Sequence, residues 1–325
     1  MTKKSTSCVL QNVLLVLTCI GSISCNWEGW WTYEGISGPY YWGLMNPDWT
    51  TCAKGKLQSP IDIDPINLNY DGSLDSIRVE KKSVTGQFMN TGQSLVYRVD
   101  EGEGQDIGIA GGPLTYQYRF KEMYFHWANT GNPGSEHTVN KQSFPAEIQI
   151  YGFNSELYPN MSIARENPNG LVAFAILVQI TESLYRKSDF DFISVHLDKL
   201  LHRGDIVKVP TFSLHQVLPR TEDYITYEGS STFPGCWETV TWIGNQIHIF
   251  NKPIFITTKQ LAHFQRLKHE NNLRPLQPVN KRNIRTNVGI QAQKDSNPEC
   301  TDGLNEIEYE PNIPVLPLNS RPYTP

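Results

Sequence analysis

Six runs with the residue pattern of β-strands, at 94–100, 114–127, 146–153, 171–180, 240–250 and 253–257, restrict this chain to a β-dominated fold. Turn residues separate several of them, at Asp71-Gly72, Gly111-Gly112-Pro113 and Asn167-Pro168-Asn169-Gly170. Two helices are predicted beside the strands. The first covers 258–271, with Leu261, Phe264 and Leu267 on one face and Thr257 or Thr258 as cap. The second covers 193–201, with Ile193, Leu197, Leu200 and Leu201 at helical spacing. No internal repeat is visible. Although 325 residues leave room for two domains, β-rich folds often place more than ~200 residues in one, and one large domain with extensions is expected.

The two ends differ from this middle. Residues 1–24 begin with Lys3 and Lys4, continue through an apolar run from Val13 to Ile20, and close on the small residues Gly21, Ser22 and Ser24. That is the layout of a secretory signal, with cleavage expected after Ser24 or Cys25. The run falls short of the ~20 residues a membrane span needs, and no later stretch approaches that length. The expectation is therefore a secreted, extracellular protein without membrane insertion. Loss of Lys3 and Lys4 takes the net charge from -5 to -7, and no basic stripe suggests nucleic acid as a partner. The domain is expected to occupy 25–290. From 291 to 325 the composition turns to Asn, Glu, Pro and Asp, as in a flexible tail, in which Pro311, Pro314 and Pro317 would suit either a polyproline II ligand or solvent.

Of six cysteines, Cys8 and Cys19 would leave with the signal, so Cys25, Cys52, Cys236 and Cys300 remain. Cys300 stands in the polar tail, where bonding to Cys25, to another copy in a disulfide-linked homodimer, or to a different protein are all open. Asn160-Met161-Ser162 is a glycosylation sequon, and its setting after Tyr158-Pro159 suggests a surface loop. The aromatic-rich stretch 26–49 has little periodicity, as expected of an extended segment laid over a preformed surface.

The chemistry concentrates at Tyr124-Phe125-His126-Trp127 and Glu147-Ile148-Gln149. Residues two apart on a strand share a face, so Tyr124 and His126 project together and Gln149 joins them from a neighbouring strand. With Gln58-Ser59-Pro60-Ile61-Asp62-Ile63, Gly134-Ser135-Glu136-His137-Thr138-Val139, Thr241-Trp242-Ile243 and Arg274-Pro275-Leu276-Gln277-Pro278, they form an ordered series from about Tyr41 to Arg285 that resembles the α-carbonic anhydrase family. The resemblance implies one domain with a large central twisted, mostly antiparallel β-sheet and peripheral short helices. It also implies a zinc site, because the family's ligand strand reads His-x-His-Trp and the neighbouring strand supplies a third His just after a Glu. Here His126 alone is kept; the first ligand falls on Tyr124 and the third on Gln149.

Further positions carry over through the same resemblance. Glu136 and Thr232 match a pair that orients the zinc-bound hydroxide, and Glu147 matches a residue that orients a ligand imidazole. The proton-shuttling His falls on Gln93, which has no proton to exchange near neutral pH. Ser231-Thr232-Phe233-Pro234-Gly235 replaces a Leu-Thr-Thr-Pro-Pro pattern and puts Phe233 where a small polar residue lined the pocket. Cysteines at the places of Cys52 and Cys236 in secreted members imply a disulfide between them.

Catalytic zinc requires three protein ligands and an exchangeable water; a phenol with a pKa of ~10 and an amide oxygen are poor substitutes for imidazole. Zinc is therefore expected to be absent and catalysis lost. His126 is expected to be a buried imidazole bonded to Tyr124 or Gln149, and Tyr124 to fill the cavity floor. Thr232 and Glu136 would keep a mutual hydrogen bond, and Gln149 would donate to Glu147. The chain is most similar to the secreted, acatalytic carbonic anhydrase-related proteins of the ten and eleven type, which implies a protein-binding ligand for neurexin-type receptors at neuronal cell surfaces. Two other readings stand beside it: a residual or repurposed zinc hydratase or esterase using His126, His137 and Thr232, and a small-molecule carrier that needs room beside Tyr124 and Phe233.

Overall fold

Strands whose two sets of alternate side chains are both apolar must be covered on both faces, and the central strands meet that condition. The computed structural model of the chain describes residues 30–289, except 103, 130–133, 183–188, 219–220, 245–253 and 268–270. The leader at 1–24, Cys25, Cys300 and the tail at 291–325 lie outside the described residues, as does most of the predicted strand beyond Gly244.

The described residues contain a sheet of thirteen strands. Its path runs Ile206–Phe212, Val84–Asn90, Leu95–Val99, Leu114–Trp127, Ala146–Asn154, Leu171–Ile180, Val240–Gly244 and Ile225–Gly229, then Arg285–Thr286 and Asn69–Tyr70. Pairing is mostly antiparallel. Leu171–Ile180 pairs in parallel with both Val240–Gly244 and Ile254–Ile256, and Arg285–Thr286 with Asn69–Tyr70.

One face holds Met123, Phe125 and Trp127, with Ile148, Ile150, Val172, Phe174 and Ile176 beside them, in the larger apolar cluster. The helix Thr258–Leu267 closes over this face, with the Phe264 ring 5.8 Å from Phe125 and 5.6 Å from Trp127. Its start is a reciprocal cap: Thr257 Oγ1 accepts from the Gln260 N–H, and Gln260 Oε1 accepts from the Thr257 N–H. The opposite face packs Tyr151, Ala173, Ala175 and Trp242 into a second cluster. That face also presents the polar side chains of interest.

The second predicted helix is broken. Residues 193–201 form one turn at Asp191–Ser194 and a 3-10 turn at Leu197–Lys199. The Ser194 hydroxyl donates to the Phe190 carbonyl, which also accepts from the N–H groups of Ile193 and Ser194, and beyond that turn the N–H groups of His196, Lys199 and Leu200 all close i to i+3 steps. Ile193, Leu197 and Leu200 are still buried, because spacings of three and four suit either helix type.

The aromatic N-terminal segment folds into short helices around a third cluster of Tyr33, Trp42, Trp49 and Cys236. Trp42 lies edge-on to Trp31 and Tyr33 at 5.4 and 5.7 Å, and its indole N–H is shared between the Thr32 and Ser37 carbonyls. Cys52 and Cys236 are disulfide-bonded across 184 residues of sequence, tying this segment to the loop that carries Thr232 and Phe233. Apart from Gly289, the described residues belong to one unit ending at Val288. Among the described residues, no helix is long and apolar enough to cross a membrane.

Replacing both bridging cysteines by alanine should lower the free energy of unfolding by about 5 kcal/mol, the chain-entropy value for a loop closed across 184 residues. Urea unfolding with and without the pair measures it; an unchanged midpoint would show that the cross-link constrains little in the unfolded chain.

Candidate functional site

Pairing register assembles the site. Leu114–Trp127 runs antiparallel to Ala146–Asn154, so that Glu122 faces Tyr151, Tyr124 faces Gln149 and His126 faces Glu147. All six point to one side of the sheet. A bulge between Phe120 and Glu122 inserts Lys121 as the extra residue, which resets the alternation just before these positions.

The Gln149 side chain is the centre of the arrangement. Its amide nitrogen donates to Glu136 Oε2 at 2.7 Å and to Glu147 Oε1 at 2.9 Å. Its oxygen accepts from Thr232 Oγ1 and Tyr151 OH, both at 3.0 Å. Two donors and two acceptor lone pairs are all an amide has, and all four are used. The Thr232 hydroxyl also lies against Glu136, where it favours the charged carboxyl, but its hydrogen bond of good geometry goes to Gln149 rather than to the expected Glu136.

His126 bonds to neither Tyr124 nor Gln149. Its Nδ1 donates to the Asn272 carbonyl at 2.8 Å and lies 3.6 Å from Glu136 Oε1. A carbonyl accepts only, so Nδ1 carries the proton, and Nε2 is left buried without a partner. Asn272 also accepts from the Trp127 N–H and donates to the Phe125 carbonyl, locking the strand's end to the segment before Arg274. Asn272 was not singled out from the sequence, where 146 residues separate it from His126.

Tyr124 turns along its own strand, and its hydroxyl donates to Glu122 Oε2 at 2.8 Å. Its ring stacks on Phe233 at 5.4 Å and meets Tyr151 edge-on at 5.6 Å. The three rings pack against one another, and the Tyr151 hydroxyl reaches Gln149. Glu122 is also bonded to Arg98 at 3.0 Å and lies 3.6 Å from Arg165, whose guanidinium covers the Phe233 and Trp237 rings. Gln93, where the resemblance puts the proton-shuttling His, donates through Nε2 to the Trp31 carbonyl and fastens the N-terminal segment.

The two buried carboxyls are shifted in opposite directions. Burial raises Glu136 above its ordinary value, despite the opposing effect of His126. Burial also acts to raise Glu147, but the adjacent His137, hydrogen-bonded at 2.8 Å, and the N–H groups of Glu136 and His137 hold it below the ordinary value. His137 continues through its Nε2 to Tyr227 OH at 2.7 Å, and Tyr227 to Ser59 Oγ at 2.9 Å. Glu136 Oε1 accepts from the Arg274 N–H, while the Arg274 guanidinium is bonded to the Ser59 carbonyl and the Gln58 amide oxygen.

Tested against a zinc ion, this residue set does not fit. His126 Nε2 is a free donor in the right chemical class. The Tyr124 phenol is bonded to a carboxylate, and burial together with Glu122 pushes its pKa far above the usual value, so no phenolate is on offer. Gln149 has no lone pair left. Among the described residues, no three His, Cys, Asp or Glu side chains converge as a metal-ligating group. Three protein donors are the minimum for catalytic zinc, and this face provides one. What it can do chemically is hold two buried carboxyls, an imidazole and a ring stack in a fixed order.

Comparison with known proteins places this geometry. The family model for eukaryotic-type carbonic anhydrases matches residues 37–288. The chain is similar to carbonic anhydrase-like protein 2 of Caenorhabditis elegans, with 36% identity over 297 residues, covering 86% of each chain. It is also similar to carbonic anhydrase-like protein 1 of the same organism, with 29% identity over 355 residues, covering 85% of this chain and 94% of the relative.

Replacing Gln149 by leucine removes the donor shared by two buried carboxyls and should cost about 3 to 5 kcal/mol in chemical unfolding. A loss below about 1 kcal/mol would show that the amide does not hold the centre together. Glu147 adds a pH term. Its folded-state pKa lies below the ordinary 4.5, so the unfolded chain binds the proton first, and the stability it contributes is present above about pH 4.5 and lost as pH falls. Glu136 acts oppositely, its contribution falling as pH rises above that value. Glu147→Gln should therefore be less stable at pH 6 and lose less stability between pH 6 and about pH 3.5 than the parent chain. Parallel unfolding-versus-pH curves would refute the assignment.

Proposed function

The chain belongs to the eukaryotic-type carbonic anhydrase family, and from that membership we propose that it is a secreted, catalytically silent member that works as a protein-binding ligand. The single observation that carries the reading is the Gln149 amide, whose four hydrogen-bonding positions are committed to Glu136, Glu147, Thr232 and Tyr151. A third metal donor at that place would have to break those bonds and leave buried carboxyls unpaired. The relatives' names, carbonic anhydrase-like, agree with a departure from the parent activity. The Cys52–Cys236 bond supports an oxidising compartment, where the leader at 1–24 would direct the chain. Asn160 would carry a glycan there, and Cys300 would be available for a covalent link to a partner or a second copy.

The partner class is a neurexin-type cell-surface receptor, an inference from the resemblance to the secreted carbonic anhydrase-related proteins. Binding would use the outer surface of the domain or its tail, since the inward face is closed by Tyr124, Tyr151 and Phe233.

Purified from the medium of expressing cells and dialysed against a mild chelator, the protein should hold well under one zinc per chain and hydrate CO2 no faster than buffer. Stoichiometric zinc with measurable hydration would move a zinc hydratase or esterase built on His126 to first place. In a separate capture experiment, the immobilised ectodomain of a neurexin-type receptor should retain the full-length chain, and Cys300→Ser should abolish any species that withstands denaturation without reductant. Failure of capture with folded protein would remove this receptor class.

A further inference from the structure

Outside the altered cavity, a groove of about 420 Å³ runs between the Leu95–Val99 and Leu114–Trp127 strands and the short helix Met161–Ala164. Its volume lies in the ~300–1,000 Å³ range of small-ligand sites. Arg98, Lys121, Glu122, Asn160, Ser162 and Arg165 are among its lining residues. The cations in this groove are already paired. Arg98 bonds to Glu122, Lys121 to Glu101 at 2.6 Å, and Arg165 lies near Glu122 and over two aromatic rings. An anionic ligand would have to compete with those carboxylates, whereas a neutral, hydroxyl-rich one can bond to both members of each pair without separating them.

Asn160 supplies the occupant. It is exposed and precedes the helix in an extended conformation, and its side-chain oxygen accepts from the Ile163 N–H as an N-cap. The cap uses Oδ1 only. The amide nitrogen, the atom that carries an N-linked sugar, makes no hydrogen bond among the described residues, and Asn160 lines the groove. The cap and the modification can therefore coexist.

We infer that Asn160 carries an N-linked glycan whose first N-acetylglucosamine residues lie in this groove, covering the Arg98–Glu122–Arg165 cluster at the rim of the altered cavity. The inference rests on the reading of the chain as secreted. Transfer forms a bond between Asn160 Nδ2 and C1 of the sugar as the C1–O bond to the lipid pyrophosphate of a lipid-linked oligosaccharide donor breaks, and the amide proton is released with the departing lipid pyrophosphate. Groove and glycan together make this a covered surface, so that a protein partner is received elsewhere on the domain.

The test uses the full-length chain secreted by a glycosylating host. Ser162→Ala removes the sequon but keeps the Asn160 cap; Ser162→Thr keeps both. In the parent and in Ser162→Thr, an endoglycosidase that cleaves N-linked glycans should reduce the intact mass, and Lys121 should react slowly with an amine acylating reagent. In Ser162→Ala the mass shift should vanish and Lys121 should react several-fold faster, while the exposed Lys56 reacts equally in all three proteins. Glycosylated protein in which Lys121 is as reactive as in Ser162→Ala would overturn the groove assignment. Secreted protein without a glycan would overturn the site while leaving secretion standing. Unmodified protein retained in the cytosol would overturn both.

Discussion

A single primary amide orders the interior of this protein. Carboxylates buried at adjacent positions repel each other and are poorly solvated, and each needs a donor that brings no charge imbalance of its own. Gln149 gives one N–H to Glu136 and the other to Glu147, and takes hydrogen bonds from Thr232 and Tyr151 in return. From Glu147 the bonding continues through His137 to Tyr227 and Ser59, and from Glu136 to the backbone of Arg274. Segments far apart in sequence thus meet on one amide. Neutral hydrogen bonding through this amide supplies the cohesion of the site.

The positions around the amide are ordered together with it. Tyr124 directs its hydroxyl towards Glu122, a carboxylate shared with Arg98 and Arg165, and so leaves the neighbourhood of His126. Phe233 stacks on Tyr124, and Tyr151 fits between Phe233 and Trp242. His126 keeps an unpartnered nitrogen, held in place by the Asn272 carbonyl. One intact donor in a rearranged shell is a weak ligand set, and the surrounding bonds resist the movements that would recruit others.

Much of this was legible from residues alone. The strands Leu114–Trp127 and Leu171–Ile180 matched their sequence bounds, because long β-branched and aromatic runs leave few alternatives. The donation from Gln149 to Glu147 was expected from the capacity of an amide to donate to a carboxylate, and the strand, which sets the two residues two apart, puts them on one face. The same spacing would have singled out Tyr151, which was missed because no chemistry drew attention to a tyrosine. Strand spacing points His126 to its near neighbours Tyr124 and Gln149, whereas its partner, the Asn272 carbonyl, is brought back only by tertiary folding. The helix predicted over 193–201 failed because apolar spacing does not distinguish an α-helix from successive short turns, and the Ser194 hydroxyl favours the latter.

The cross-link between Cys52 and Cys236 has a mechanical consequence. Tension that enters a cross-linked chain at one terminus and leaves at the other takes the covalent shortcut. Residues 53–235, which include Glu136, Glu147, Gln149 and Thr232, then lie off the load path. The noncovalent centre of the domain is thereby spared the pulling force, which falls instead on the segments before Cys52 and after Cys236.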